Sequence, residues 1–160
     1  MSNSPFGLSL SKPAHPYVDD VVRRSLVDAV LLWERTYGVA PQGVTGAIAE
    51  FDAAMLVGHT PQTYSEEMHG ATAVRKGFDF CHSGERYQVK GNRPSGKPGS
   101  FITRAGKPTN LDWDTYVWIR YDEHYLVVEA WSWDNATYSQ KLDHLARLSP
   151  SDIRSGVRLA

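Results

Sequence analysis

The chain has 160 residues, of which 41% are hydrophobic and 22% are charged, and its formal net charge is −1. This is an ordinary globular composition, and the length is enough for one domain with a core of its own. The single cysteine, Cys81, excludes an internal disulfide bond and a cysteine-rich zinc module, and it fits a reducing, cytoplasmic setting. No apolar run approaches the roughly 20 residues that span a bilayer, so no membrane association is expected.

The N-terminal part of the sequence divides into a leader and a first helix. Residues 1–16 have no basic segment followed by an apolar one, so they are interpreted as a flexible leader rather than a signal peptide. Residues 17–160 then form a single domain. From Tyr17 to Tyr37 the apolar residues recur at helical spacing, which predicts a helix with one face to bury.

A second helix is predicted from about Thr45 to Val57, and it is apolar on nearly every side. Such a helix is usually buried in the middle of a domain. Glu50 therefore needs a cation, a set of hydrogen-bond donors or a metal ion, because an unpaired buried carboxylate is costly. Asp52 points elsewhere around the helix and is interpreted as a surface charge. Residues 58–70 are interpreted as a loop with at most a short helical turn.

The stretch "GFDFCHSGERYQVKG", from Gly77 to Gly91, predicts a β-hairpin. If Ser83 and Gly84 form a two-residue turn, His82 faces Glu85, and Asp79 then lies directly opposite Gln88. Alternation along the strands places three polar side chains on one face, namely Asp79, Gln88 and Lys90. The apolar residues of the hairpin, Phe78, Phe80, Tyr87 and Val89, are expected on the other face.

The rest of the chain completes a mixed sheet. A long mobile loop is expected after Gly91, because the segment to Asn110 is rich in glycine and proline. Two nearly continuous apolar strands follow at Thr115–Arg120 and Tyr125–Trp131, and they are expected at the sheet centre. A helix is predicted around Gln140–Leu148, with a further turn after Ser149. The predicted fold is α/β, with a central mixed four-stranded sheet flanked by helices.

The polar face of the hairpin favours phosphodiester chemistry. Asp79 and Gln88 offer oxygen ligands from adjacent strands, and hard divalent ions such as Mg²⁺ prefer oxygen ligands. Lys90 would add positive charge beside whatever that ion holds. A metal that activates water, next to an ammonium group that stabilises an anionic transition state, suits hydrolysis of a phosphodiester.

These residues resemble a known family. Asp79 followed by "QVK" at Gln88–Lys90 is similar to the motif of the PD-(D/E)XK nucleases, the superfamily of many restriction endonucleases, and "GVTGAIAEF" is similar to their first helix. The resemblance covers roughly residues 43–131 and implies a restriction endonuclease-like fold. It implies Asp79, Gln88 and Glu50 as metal ligands, Lys90 as the catalytic lysine, and Mg²⁺ as cofactor, with Mn²⁺ able to substitute. Most members have Asp or Glu at the second position, whereas Gln occurs in the Mrr-type branch.

The charge distribution favours DNA as the partner. From Arg86 to Asn110 the chain has six basic residues and no acidic one. Besides Lys90, these are the expected phosphate contacts: Arg86, Arg93, Lys97, Arg104 and Lys107. Nearby Trp113, Trp131 and Trp133 could stack on bases, although aromatic residues at strand ends are more often packed in the core. Cleavage of both strands of a duplex needs two sites, so a homodimer is plausible.

Several alternatives remain open at this stage. The polar face of the hairpin could be a solvated surface with one cross-strand hydrogen bond. Glu85 could replace Gln88 as a ligand if the register of the strands differed. A zinc site is disfavoured because His59, His69, Cys81 and His82 lack paired ligand spacing. The chain could also be an inactive module of the nuclease fold that binds nucleic acid or assembles with a partner protein. A third possibility is a partner-binding protein unrelated to nucleic acid.

Overall fold

The computed structural model describes residues 20–71 and 75–160. The predicted leader at residues 1–16, and the first residues of the predicted first helix, lie outside these ranges. Within them the helices are α1 Val21–Tyr37, α2 Val44–Val57, α3 Pro61–Gly70, α4 Asn135–Lys141 and α5 Pro150–Ile153. The strands are β1 Phe80–His82, β2 Glu85–Asn92, β3 Thr115–Tyr121, β4 Val127–Asp134 and β5 Val157–Arg158. No helix in this part of the chain is both long and apolar enough to cross a membrane.

The five strands form one mixed sheet in the order β1-β2-β3-β4-β5. Strands β2 and β3 pair in parallel, and the other neighbours pair antiparallel. The α/β class and the mixed sheet are confirmed, but the predicted number of four strands is wrong. The fifth strand, β5, forms only two residue pairs with β4, at Trp131 and Ser132, which is too short a segment to give a sequence pattern.

The two faces of the sheet are covered by different parts of the chain. Helices α1 and α2 pack on one face, where the buried residues include Val30, Ile48, Phe80 and Val117. On the other face, α4, α5 and part of the β2–β3 loop pack over Trp118. Strand β3 lies in the centre of the sheet and is buried along most of its length, as its apolar sequence predicts.

Capping side chains explain two helices that the apolar pattern misplaces. Helix α3 begins at Pro61 behind a capping box of Thr60 and Thr63, although this segment is predicted as a loop. Helix α4 begins after Asp134, whose carboxylate accepts a hydrogen bond from the Thr137 backbone, so the predicted helix over 140–148 is placed too late. Strand β4 correspondingly extends beyond the predicted end at Trp131.

The environment of Asp52 corrects the interpretation of this residue as a surface charge. Its side chain is completely buried. Arg23 of α1 donates two hydrogen bonds to the carboxylate, at 2.6 and 2.8 Å, and the Tyr121 hydroxyl donates a third at 2.7 Å. Burial raises the pKa of Asp52, and the hydrogen bonds from Arg23 and Tyr121 oppose that rise. The Arg23–Asp52–Tyr121 cluster thus joins α1, α2 and β3 inside the core.

Candidate active site on the open edge of β2

The candidate site lies where β2 extends past its short neighbour. Strand β1 pairs with β2 only from Phe80 opposite Tyr87 to His82 opposite Glu85, whereas β2 continues to Asn92. The predicted register of the hairpin is therefore confirmed. In the described part of the chain, β2 beyond Tyr87 has a strand neighbour only on its β3 side. Such an edge leaves backbone N–H and C=O groups to be bonded in another way.

Asp79 supplies that alternative bonding. Its backbone N–H donates to the carbonyl of Tyr87, the partner of Phe80 in the sheet, at 2.7 Å. Its carboxylate Oδ2 then accepts the Val89 backbone N–H at 2.7 Å and the Gln88 amide Nε2 at 2.7 Å. Asp79 directly precedes the first paired residue of β1, Phe80, and its carboxylate there reaches both donors.

The Gln88 amide is the second ligand that the motif implies. Gln88 is only 8% exposed. Its two neighbours on β2, Tyr87 and Val89, belong to the core on the α2 face. Because the amide nitrogen donates to Asp79, the oxygen Oε1 is the end of Gln88 that remains for a cation. Glu85 is engaged elsewhere, since its Oε2 accepts the Tyr87 hydroxyl at 2.6 Å.

Two glycines fix the position of Lys90 beside this pair. Gly91 lies against α2, where an added Cβ would be 2.6 Å from the Ala49 side chain. Gly106 lies against Lys90, where an added Cβ would be 2.8 Å from the lysine Cβ. Strand β2 is therefore held closely between α2 and the β2–β3 loop. Within residues 20–71 and 75–160, the Lys90 ammonium group has no hydrogen bond and no ion pair.

Glu50 approaches the same region from α2. Burial, and to a smaller extent the negative charge of Asp79, raise the pKa of Glu50 to about 7, while the charge of Lys90 opposes the rise. Burial also raises the pKa of Asp79, while the hydrogen bond from the Val89 backbone and the charge of Lys90 lower it. Burial therefore favours the neutral forms of both carboxyl groups, and the charge of Lys90 favours their ionised forms.

Tyr64 of α3 is a neighbour of the site that the sequence analysis misses. Burial raises the pKa of Tyr64 to about 12, with smaller contributions from the charges of Glu50 and Asp79. Its ring packs edge-on against Phe51 at 5.5 Å and lies 6.3 Å from the Phe80 ring. The "TPQT" capping signal before this residue could have placed it on a helix.

Comparison with known proteins does not assign this site to a family. No protein-family model matches the chain, and no curated protein sequence matches it. The assignment of the site therefore depends on its own residues.

The donor set fits a hard divalent cation. In the described ranges, no group of three or more His, Cys, Asp or Glu side chains is arranged to hold a metal. The set at β2 is different, because it combines the carboxylates of Asp79 and Glu50 with the Gln88 amide oxygen. All three supply oxygen, and a bound cation would favour the ionised form of Glu50, which burial disfavours.

The basic residues expected to contact phosphates fall into two groups. Three of them are bonded within the chain. Arg86 is paired with Asp114, Arg93 with Glu34, and Lys107 donates to two backbone carbonyls. The Arg93 side chain is only 5% exposed, so it is a structural contact of α1 rather than a free cation. Lys97 and Arg104 are exposed, and their side chains have no hydrogen bond or ion pair to the described residues.

The tryptophans considered for base stacking are largely buried. Trp113 is 1% and Trp133 is 3% exposed, and both belong to the core on the α4 face. Trp131 is half-buried, and its indole N–H donates to Glu129 at 2.9 Å. Stacking by Trp113 or Trp133 would require the core to open.

Proposed function

We propose that the chain is a metal-dependent phosphodiesterase that cleaves DNA, with a restriction endonuclease-like core. The observation that carries this proposal is the arrangement at the open edge of β2. Asp79 and Gln88 are joined there by a 2.7 Å hydrogen bond, Lys90 follows on the same strand, and α2 adds the half-buried carboxyl group of Glu50, whose pKa is raised to about 7.

Mg²⁺ is the cofactor that the donor set supports best, and Mn²⁺ would substitute for it. Asp79, Gln88 and Glu50 would hold the ion. When bound, such an ion lowers the pKa of water and polarises a phosphoryl oxygen. The carboxylates of Asp79 and Glu50 would at the same time be stabilised in their ionised forms, which burial alone disfavours.

The residues of the chain supply the remaining steps. The Asp79–Gln88 hydrogen bond keeps both ligands on the edge of β2, so little reorganisation is needed when substrate arrives. The Lys90 ammonium group, which has no hydrogen bond or ion pair to the described residues, is available to a scissile phosphate. It would stabilise the extra negative charge that develops as water attacks phosphorus.

One observation favours a second candidate function. Oδ2 of Asp79 already accepts two hydrogen bonds, and the Gln88 side chain is neutral. The contact between these two residues therefore also suits a purely structural role that involves no metal. The same fold could then serve as an inactive module that binds nucleic acid or a partner protein.

The test is cleavage of supercoiled plasmid, linear and branched DNA by the purified protein in Mg²⁺, Mn²⁺ or EDTA. We expect metal-dependent nicking that falls at least about 100-fold in Asp79→Asn, Lys90→Gln and Glu50→Gln. Asp28→Asn on the exposed side of α1 and Lys76→Gln are matched controls that leave nicking unchanged.

Gln88→Glu separates the two candidate functions. In an active nuclease this substitution should keep or increase nicking, because it adds a negative charge to the ligand set. Wild-type protein that is inert on every DNA and gains activity in Gln88→Glu would identify the neutral ligand as the cause. Absence of activity in both proteins would contradict the nuclease and favour the inactive module.

A further inference from the structure

The loop between β2 and β3 carries the most exposed large apolar side chain in the described part of the chain. Phe101 is 77% exposed. The loop is expected to be mobile from its composition, yet both of its ends are bonded to the rest of the domain. Because the loop is anchored at both ends, the exposed Phe101 ring has a defined position on the surface of the domain.

The first end of the loop is held by Arg93. Its guanidinium donates two hydrogen bonds to the Glu34 carboxylate, at 2.7 and 2.8 Å, and donates to the Glu123 carbonyl. It also lies over the Tyr125 ring, 4.5 Å from the centroid. These contacts join the start of the loop to α1 and to the β3–β4 connection.

The second end is held against β2 and the α4 side of the sheet. The Asn92 side-chain oxygen accepts hydrogen bonds from the Gly106 backbone at 2.9 Å and the Trp118 indole at 2.8 Å. The Tyr116 hydroxyl donates to the Gly106 carbonyl at 2.5 Å. Because Gly106 packs directly on Lys90, this end of the loop lies beside the candidate active site.

Phe101 borders a small cleft whose chemistry suits a nucleobase rather than a phosphate. The cleft has a volume of about 230 Å³, and its lining includes the apolar Ile102 and Val128 and the acidic Asp122 and Glu123. Arg120 also lines it, but its guanidinium is paired with Glu129 at 2.7 Å. Carboxylates repel phosphate but accept hydrogen bonds from base amino groups. A volume below that of ordinary drug-sized pockets fits a single planar ring.

The free cations of the loop flank this aromatic side chain. Lys97 precedes Phe101 by four residues and Arg104 follows it by three, and both are exposed. Lys and Arg side chains follow a phosphate backbone, while an aromatic ring between them stacks on a base. Bases in an intact duplex are already stacked on one another, so such a ring needs an unpaired base.

We propose that Phe101 and its cleft form a stacking subsite for an unpaired nucleobase, with Lys97 and Arg104 contacting the adjacent phosphates. The inference rests on the proposed function for its substrate class and deepens it. The preferred substrate is single-stranded DNA, or DNA with a locally unpaired base.

The test is a binding measurement in EDTA, so that cleavage does not interfere. The probes are a fluorescent single-stranded oligonucleotide, its duplex, and an oligomer of the same length that carries abasic sugars only. We expect Phe101→Ala to weaken single-strand binding by about 5- to 100-fold and to change duplex and abasic binding by less than about 2-fold. Phe101→Trp should retain binding, and Val22→Ala, an equally exposed apolar residue on α1, is the matched control.

The charged flanks give an independent readout. Lys97→Gln and Arg104→Gln should each reduce the slope of log affinity against log salt by about 1, for single-stranded and abasic probes alike. If Phe101→Ala weakens all three probes equally, or none of them, the stacking subsite is wrong. Binding of no probe by the wild-type protein also overturns it.

The outcomes are distinguishable from those of the cleavage test. Phe101-dependent binding of single strands by a protein that cleaves no DNA would retain this subsite and reject the nuclease. Metal-dependent cleavage combined with unchanged binding in Phe101→Ala would retain the nuclease and reject the subsite.

Discussion

Helix α2 carries two carboxylates that lie two residues apart and have opposite surroundings. Asp52 is completely buried and accepts hydrogen bonds from Arg23 and Tyr121. Glu50 is half-buried and has no compensating partner of that kind, and burial raises its pKa to about 7. Asp52 is thus neutralised by a guanidinium in direct contact, whereas Glu50 has no ion pair to the described residues and only the charge of Lys90 opposes the rise in its pKa. Of the two carboxyl groups, only that of Glu50 is therefore available to bind a ligand.

The largest effect should come from breaking the Arg23–Asp52 pair. Arg23→Met leaves a buried carboxylate without its guanidinium, and we expect the free energy of unfolding to fall by about 3–5 kcal/mol. Urea denaturation measures this change, with Arg24→Met on the exposed side of α1 as the control. The double variant Arg23→Met/Asp52→Leu should recover part of the loss, because no unpaired charge remains. A loss of less than about 1 kcal/mol in Arg23→Met would contradict the structural role of this cluster.

Glu50 should respond in the opposite direction. Its pKa in the folded chain, about 7, is above the ordinary value of 4.5, so folding favours its protonated form. The stability that it contributes is therefore complete below about pH 4.5 and is lost as pH rises through 7. In EDTA we expect Glu50→Gln to equal the wild type near pH 4.5 and to exceed it by roughly 1–3 kcal/mol at pH 8, after allowance for solvent screening.

Unfolding free energies of Glu50→Gln and wild type across this pH range test the prediction, and Glu66→Gln on the exposed side of α3 is the control. Equal pH profiles for Glu50→Gln and wild type would mean that Glu50 is solvated in the same way in the folded and unfolded chains. The contrast with Asp52 would then disappear.

The smallest effect should be stabilisation by the cofactor. A ligand that binds only the folded state, at ten times its dissociation constant, adds about 1.4 kcal/mol to the free energy of unfolding. We expect Mg²⁺ to raise the melting temperature of wild type by a few degrees at pH 8, and to have no effect on Asp79→Ala. The increase should be smaller in Glu50→Gln. An equal increase in all three proteins would place the metal elsewhere.

The sequence determines the hairpin better than it determines the interior. The register of β1 and β2 depends on a two-residue turn and on alternation, both of which are local, and the structure confirms it. Helix α3 is missed because Thr60 and Thr63 define its start, and a capping signal is weaker than an apolar stripe. Asp52 is misjudged because its partner Arg23 comes from another helix.

In the candidate site, too, contacts between residues near in sequence are predictable, whereas contacts between distant residues are not. The contact between Asp79 and Gln88 follows from the hairpin register alone. The pairing of Arg93 with Glu34, and of Arg86 with Asp114, joins residues far apart in the chain, so a count of basic residues overstates the number of free cations. Tyr64 enters the site because α3 packs against the start of β1, where the Tyr64 ring lies 6.3 Å from the Phe80 ring.

The parallel pairing of β2 with β3 also has a consequence for how the chain folds. Parallel strands cannot be joined by a tight turn, and here the whole loop from Arg93 to Asp114 must close before the two central strands can meet. The β3–β4 hairpin needs no such closure. We expect that hairpin to form in the folding transition state and β2 to dock later, so substitutions at Asn92 or Arg93 should mainly accelerate unfolding.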